Sequence, residues 1–321
     1  MSNYDVFNGD ADGLCALIQL RNATPREAVL ITGVKRDIAL LEKINAGPGS
    51  LITVLDVSLD KNRPGLKRAL EAGASVFYCD HHFAGDIPED DNLQTLINTS
   101  PDVCTSLLIN DYLQGAYLPW AVVGAYGDNL ASSAQHNAAP LGLDEDALKQ
   151  LQSLGIYINY NGYGSNLGDL HFDPQDLYQV LCAYTDPFDF MGDNGGHFEK
   201  LQTGYQQDMS AAEALAPEFK DTNTAVFMLP DEPWARRVSG VYSNDLANAD
   251  HARAHAVLTA RANGSYLVSV RAPLSNKSGA DELCMQFPTG GGRKAAAGIN
   301  ELPADMLAQF IDTFAKFYGQ L

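Results

Sequence analysis

The stretch "VFYCDHHFAG" (76–85) ends an apolar run at Cys79 and then sets Asp80, His81 and His82 side by side. Neighbouring side chains of an extended segment point to opposite faces, so the two imidazoles cannot duplicate each other. Related groups recur at three other places. "NGDADG" carries Asn8, Asp10 and Asp12 at alternate positions before Gly13, Asp56 follows the apolar "SLITVL", and Asp128 follows the small-residue run "AVVGAYG". Oxygen and imidazole donors together suit Mn²⁺ or a similar divalent ion, and the absence of thiol pairs argues against zinc–sulfur chemistry. Carboxylates gathered at one point repel each other unless cations hold them. Two ions about 3.5–4 Å apart, bridged by one carboxylate, form the usual clamp for in-line attack at phosphorus.

Each piece alone has a plainer reading. "NGDADG" resembles the opening of an EF-hand loop, but Gln19 stands where the bidentate Glu belongs, and a strand precedes the loop. A lone Asp at a strand end, such as Asp56 or Asp128, is by default a helix cap. The set counts for more than its members, because every one falls where an apolar run ends. Near the C-terminus, "FPTGGGRKAAAGIN" (287–300) offers Gly290, Gly291 and Gly292 for close backbone approach and Arg293 for a phosphate, with Arg271 as a second cation. Too little chain follows for a dinucleotide fingerprint, and the plain reading is a flexible turn. His251 and His255, four apart, could share a helix face. Ala252 follows His251, so no metalloprotease signature exists, and both read as surface residues.

The elements that must position these groups alternate over the first third. Strands are expected over 4–7, 28–33, 50–55 and 74–79, and helices over 14–22, 36–44 and 63–73. Such alternation means βαβ units and a parallel, doubly wound sheet, with ligands beyond the carboxyl ends of its strands. Residues 103–215 are mostly helical in pattern, and 201–220 reads as a connecting helix. Strands return over 224–230, 255–261 and 265–272, then a Gly-rich turn and a final helix over 302–318. The expected organisation is α/β throughout: a catalytic domain over 1–198, a helical linker over 199–222 and a smaller α/β domain over 223–321. No role follows from the sequence for "NYNGYG" (159–164).

The chain has 321 residues and a net charge of −19, which disfavours tight, sequence-independent binding of long nucleic acid. Five cysteines without a CxxC pair exclude a disulfide framework and a zinc ribbon. The start lacks the pattern of a signal peptide, and no apolar run is long enough to span a bilayer. A cytoplasmic protein with no membrane partner is expected.

Asp10-x-Asp12-Gly13, Asp56, Asp80-His81-His82 and Asp128, with Gly290-Gly291-Gly292-Arg293-x-x-Ala296-Ala297-Gly298 far downstream, resemble the DHH phosphoesterases that carry a DHHA1 domain. The resemblance implies a Mn²⁺-dependent two-metal hydrolase, with Mg²⁺ or Co²⁺ as substitutes and the active site in a cleft between the domains. It implies that Asp56 bridges the ions, that Asp10 (with Asn8) holds one, and that Asp12, His81 and Asp128 hold the other. His82 would face the scissile phosphate, Asp80 would orient an imidazole, and Arg271 with Gly290–Arg293 would hold the substrate's terminal phosphate or base. Two departures stand out. The family usually has a His at the place of Val6 or an Asp at the place of Asn8, and a His at the place of Arg293. A neutral Asn8 offers a weaker ligand, and arginine cannot give up a proton at neutral pH but binds phosphate well.

Within that family, processing of long single strands needs basic tracks and stacking platforms, which a charge of −19 does not favour. Membrane-bound cyclic-dinucleotide enzymes carry spanning segments, and family II pyrophosphatases end in a different domain. The expected activity is hydrolysis of short linear 5′-phosphorylated dinucleotides, such as pGpG or pApA, to mononucleotides, by a chain compatible with a homodimer. The alternatives are a RecJ-like single-strand exonuclease, a cyclic-dinucleotide phosphodiesterase, and a non-catalytic nucleotide sensor with Asn8 as the mark of decay.

Overall fold

β1 (Tyr4–Phe7), β2 (Val29–Ile31), β3 (Leu51–Leu55), β4 (Ser75–Asp80) and β5 (Leu93–Ile97) form a sheet in the order β2-β1-β3-β4-β5 in the computed structural model, which describes residues 2–319. All neighbouring pairs are parallel. Alternation along the strands sorts the side chains. Tyr4, Val6, Ile52, Val54, Val76 and Tyr78 join Leu40, Leu41, Leu59 and Leu66 in one core. Asp5 lies between Tyr4 and Val6 and so points to the other face, where Arg21 of the helix Ala11–Ala23 donates from Nε to its Oδ2 at 2.7 Å. That helix is buried at every residue from Ala11 to Arg21 and packs on the helices Thr105–Tyr112 and Leu118–Gly127. In this strand order the winding reverses between β1 and β3, and ligands bind in the crevice outside the carboxyl ends there.

Two expectations for this part are corrected, and one strand is added. The helix expected over 36–44 is a loop with one 3₁₀ turn, Leu40–Lys43. Its leucines are drawn into the core, and the Leu41 N–H donates to Asn62 Oδ1 at 3.0 Å, outside any helical ladder. The helix expected from 63 starts earlier, at Leu59, and contains Pro64. β5 is an edge strand no expectation covered; its residues are half-buried or exposed, so its apolar signal is weak.

The chain divides into two compact units, Met1–Gln202 and Thr203–Leu321, and the helix His197–Glu213 crosses the division. This helix is shorter than the 201–220 expected, because Phe219–Lys220 forms β6. The second unit holds a six-stranded sheet in the order β10-β11-β9-β8-β7-β6. Its other strands are β7 (Thr224–Leu229), β8 (Ala254–Ala260), β9 (Tyr266–Arg271), β10 (Gly290–Arg293) and β11 (Ala296–Leu302). Only β7 and β8 pair in parallel, joined through the helix Pro233–Ala249. The final helix, Leu307–Gly319, starts after Pro303 rather than at 302 and buries Phe310 and Phe314. No helix among the described residues is long and apolar enough to cross a membrane.

Candidate metal centre

Asn8, Asp10 and Asp12 leave β1, Asp56 leaves β3, and Asp80 ends β4, so they meet at the reversal of winding. Asn8, Asp10, Asp12, Asp56 and Asp80 are all buried. Burial of this many acids requires compensation, and they receive it unequally. Asp12 sits at the start of the helix Thr105–Tyr112, where the Thr105 and Ser106 N–H groups donate to Oδ2 and Oδ1, each at 2.7 Å. Helix N-termini favour negative charge, so this carboxylate is both held and aimed. Asp10 caps the helix Ala11–Ala23, accepting from Gly13 N at 3.1 Å. Asp56 caps nothing. Its φ of +58° places it in the left-handed region that a non-glycine residue rarely adopts, a strain typical of functional positions.

His81 decides what the cluster can do. Its Nδ1 lies 2.9 Å from Val103 O. A carbonyl can only accept, so the proton sits on Nδ1 and Nε2 presents a lone pair. That lone pair faces Asp56 Oδ1 at 3.5 Å, Asp128 Oδ2 at 3.6 Å and Asp12 Oδ2 at 3.9 Å. Four acceptors converge where the Thr105 hydroxyl, 3.3 Å from Asp56 Oδ1, is a donor, an arrangement that a divalent cation resolves. Asp12, His81 and Asp128 bring ligand atoms close enough together to hold such an ion, and so do Asp56, His81 and His82. Repulsion shows in the titration: burial and then the charges of Asp10, Asp12, Asp128 and Asp80 push Asp56 well above the usual carboxylate range. Asp128, at the end of the helix Leu118–Gly127, is pushed up to about 6 by burial and Asp12, against the pull of Lys35.

The His82 ring lies 4.4 Å from that of His81, with Nδ1 3.8 Å from Asp56 Oδ1. Its Nδ1 meets Asp80 Oδ1 at 2.8 Å, while its side chain stays 46% exposed, and Asp80 Oδ2 is buried without a hydrogen-bond partner. Burial would lower the His82 pKa, but the hydrogen bond and charge of Asp80 raise it. Asp80 thus fixes the ring and favours its protonated form.

No protein-family model matches this chain, and no curated protein matches it. Solved structures do. An exonuclease RecJ bound to manganese aligns over 100% of this chain and 90% of its own, with a TM-score of 0.61 at 17% identity. RecJ in complex with Mn²⁺ from Thermus thermophilus aligns over 100% of this chain with a TM-score of 0.67 at 18% identity, this chain spanning about half (52%) of that one. The pGpG-specific phosphodiesterase PggH from Vibrio cholerae aligns over 100% of this chain and 99% of its own, with a TM-score of 0.58 at 12% identity. The chain has the DHH/DHHA1 phosphoesterase fold.

Within that DHH fold, one functional neighbour lies outside the residues the sequence singles out. Lys35, just past β2, puts Nζ 2.6 Å from Asp10 Oδ2 and 4.0 Å from Asp128 Oδ1. Burial alone would raise the Asp10 pKa, yet the charge and hydrogen bond of Lys35, together with hydrogen bonds to Asp56 and the Gly13 N–H, hold Asp10 below its ordinary value. The available signal is a basic residue just beyond a strand end, on the edge where the acids gather. The Asn8 Oδ1 is buried and finds no hydrogen-bond partner. Asn8, Asp10, Lys35, Asp56, His82 and Asp128 line a common cavity of about 190 Å³.

In the second unit the Gly-rich turn is corrected. Gly290–Arg293 is the edge strand β10, paired antiparallel to β11. The glycines serve packing: a Cβ on Gly290 would stand 1.8 Å from Cys284 O, and one on Gly292 2.6 Å from the Ala297 Cβ. Arg293 pairs with Ala296, Ala296 with Arg271, and Arg271 with His255, so these four share one cross-strand row. Arg271 donates from Nε to Asn244 Oδ1 at 2.7 Å. His255 is in β8 and buried, so neither the shared helix face with His251 nor the surface reading holds for it.

The acids set a pH dependence. Asp128, raised in the fold, stabilises the metal-free protein fully below its unfolded pKa of about 3.9, and that contribution is lost as pH rises through about 6. Mn²⁺ needs the ionised form, so its stabilisation should grow over the same interval. Melting curves from about pH 4 to about pH 7, with chelator and with Mn²⁺, should therefore converge at the acid end and separate towards neutrality. A Mn²⁺ increment independent of pH would contradict this.

Proposed function

We propose that this chain is a metal-dependent phosphodiesterase that hydrolyses short linear 5′-phosphorylated dinucleotides, such as pGpG or pApA, to mononucleotides. The observation that carries the reading is the His81 Nε2 lone pair facing three carboxylate oxygens at 3.5, 3.6 and 3.9 Å. A divalent ion held by Asp12, Asp56, His81 and Asp128, with Mn²⁺ the first choice, would polarise a phosphoryl oxygen and acidify a water, chemistry that calls for no protein nucleophile. The chain's own residues do the rest. The Thr105 and Ser106 amides and the Val103 carbonyl fix the ligands, and such supporting contacts are worth about 10–100-fold in metal affinity. His82, held by Asp80, is placed to carry a proton at Nε2 and hand it to the leaving oxygen. Lys35 puts a positive charge beside the same cavity. In the second unit, Arg271 and Arg293 are the cations assigned to the substrate's terminal phosphate.

The net charge of −19 supports a short linear substrate over a long strand, while the fold is shared with both PggH and RecJ. The test is product analysis with Mn²⁺, offering pGpG, pApA, a cyclic dinucleotide, pyrophosphate and a long single strand in parallel. Release of mononucleotides from a linear dinucleotide supports the proposal. Preference for the long strand would favour the RecJ-like reading, and binding without turnover would favour a sensor.

A further inference from the structure

We propose that the Lys35 ammonium is a resident cation of the Asp10 half of the site, so that the chain binds one divalent ion where a two-ion centre would bind two. The inference rests on the metal reading above and deepens it.

The seat of Lys35 is built by more than the carboxylates. Its backbone N–H donates to Gly162 O at 2.8 Å. Its Nζ donates to Asn159 Oδ1 at 2.9 Å and lies 5.3 Å from the centre of the Tyr163 ring. The side chain is 24% exposed. Three residues of the helix Glu145–Asn161 and the turn after it thus hold both ends of the lysine, independently of Asp10. That turn is pressed against the first motif, since a Cβ on Gly162 would stand 3.0 Å from Gly9 O and 3.3 Å from the Asp10 Cα. A protein that only needed a surface lysine would not assemble this seat beside its most buried acids.

The donors around the ammonium suit a monocation better than a second metal. Asp10 Oδ1 accepts from Gly13 N, and Oδ2 faces the ammonium. A divalent ion taking Oδ2 would stand where the ammonium stands. Asn8, beside them on the cavity wall, contributes a neutral oxygen, buried and without a hydrogen-bond partner. A hard divalent ion wants several charged or strongly polar oxygens, and this half offers Asp10, already paired with the ammonium, and only what Asp56, hydrogen-bonded to Asp10, can share with the His81 half. The His81 half differs in kind: three carboxylates and an imidazole lone pair, of which only Asp128 comes near the lysine, at the outer distance of 4.0 Å. The lysine can therefore neutralise charge at the phosphoryl group, the task of the second ion in a two-ion clamp.

The test uses the full chain loaded with Mn²⁺ and freed of excess by desalting. Metal content is read by elemental analysis, and ion–ion coupling by electron paramagnetic resonance. The wild type is expected to hold one Mn²⁺ per chain with the spectrum of an isolated ion. Lys35→Met is expected to double the content and show exchange coupling, whereas Lys35→Arg stays at one. Lys35→Gln, which keeps a donor towards Asn159, is carried beside Lys35→Met in case the latter does not fold. Two coupled ions in the wild type would overturn the proposal while leaving the metal reading intact. One ion in every folded neutral variant would also overturn it, since Lys35 would then exclude nothing. No Mn²⁺ in any protein, wild type included, would remove the metal reading and this proposal together.

Discussion

Asp56→Asn is expected to fold, to lose Mn²⁺ binding and to abolish turnover. The strain argument supports folding: at φ +58° only glycine, asparagine and aspartate are readily tolerated among short residues. The electrostatic argument goes further. Asp56 is pushed up by burial and by Asp10, Asp12, Asp128 and Asp80, so without a cation its ionised form is opposed by its surroundings. Replacing it with a neutral isostere relieves that opposition, and the metal-free variant should melt higher than the wild type, by about 2–4 °C for each kcal/mol relieved. With Mn²⁺ the order reverses. Contacts one step behind a ligand already cost about 10–100-fold in affinity, and a ligand should cost more than about 100-fold. Thermal shift with chelator and across a Mn²⁺ titration reads both effects. A variant less stable than the wild type in chelator and equally stabilised by Mn²⁺ would show that Asp56 is a structural residue instead.

The parts of this site legible in the sequence are those where an apolar run stops at an acid. β1, β3 and β4 are buried parallel strands, so each reads as a nearly continuous apolar segment, and its end is visible to the residue. The two histidines, beyond the end of β4, do not take opposite faces as extended neighbours would: their rings lie 4.4 Å apart, and only their partners differ, the carboxylates for His81 and Asp80 for His82. Lys35 is not legible, because its task depends on Asn159 and Gly162, more than a hundred residues away. "NYNGYG" has no role in the sequence for the same reason: its contribution is a close approach that only the fold creates. The Gly290–Arg293 strand reads as a turn because consecutive glycines signal one locally, while here they admit neighbouring backbone and Ala297 at short range.

Asp80→Asn should act through His82 and leave Mn²⁺ affinity largely in place, because the His81 Nε2 and its three carboxylate neighbours do not include Asp80. Asp80 Oδ1 holds the proton on His82 Nδ1 at 2.8 Å. An asparagine that offers its NH₂ would instead favour the other tautomer, whose Nε2 proton sits on a neutral ring, a far weaker acid than the imidazolium. The charge is lost as well. Asp80 is the main influence raising the His82 pKa against burial, so the variant's imidazole should titrate lower. If His82 delivers a proton to the leaving oxygen, kcat depends on its protonated form, and the alkaline limb of the kcat profile must move to lower pH. Loss of a positioned proton donor is worth about 10²–10⁴-fold, expected here in kcat with KM changed far less. His82→Ala should lose a similar factor, and Asp80→Asn added to it should cost little more, since the aspartate acts through that ring. Additive losses, or a pH profile that does not move, would assign Asp80 a role in holding β4 rather than in orienting His82.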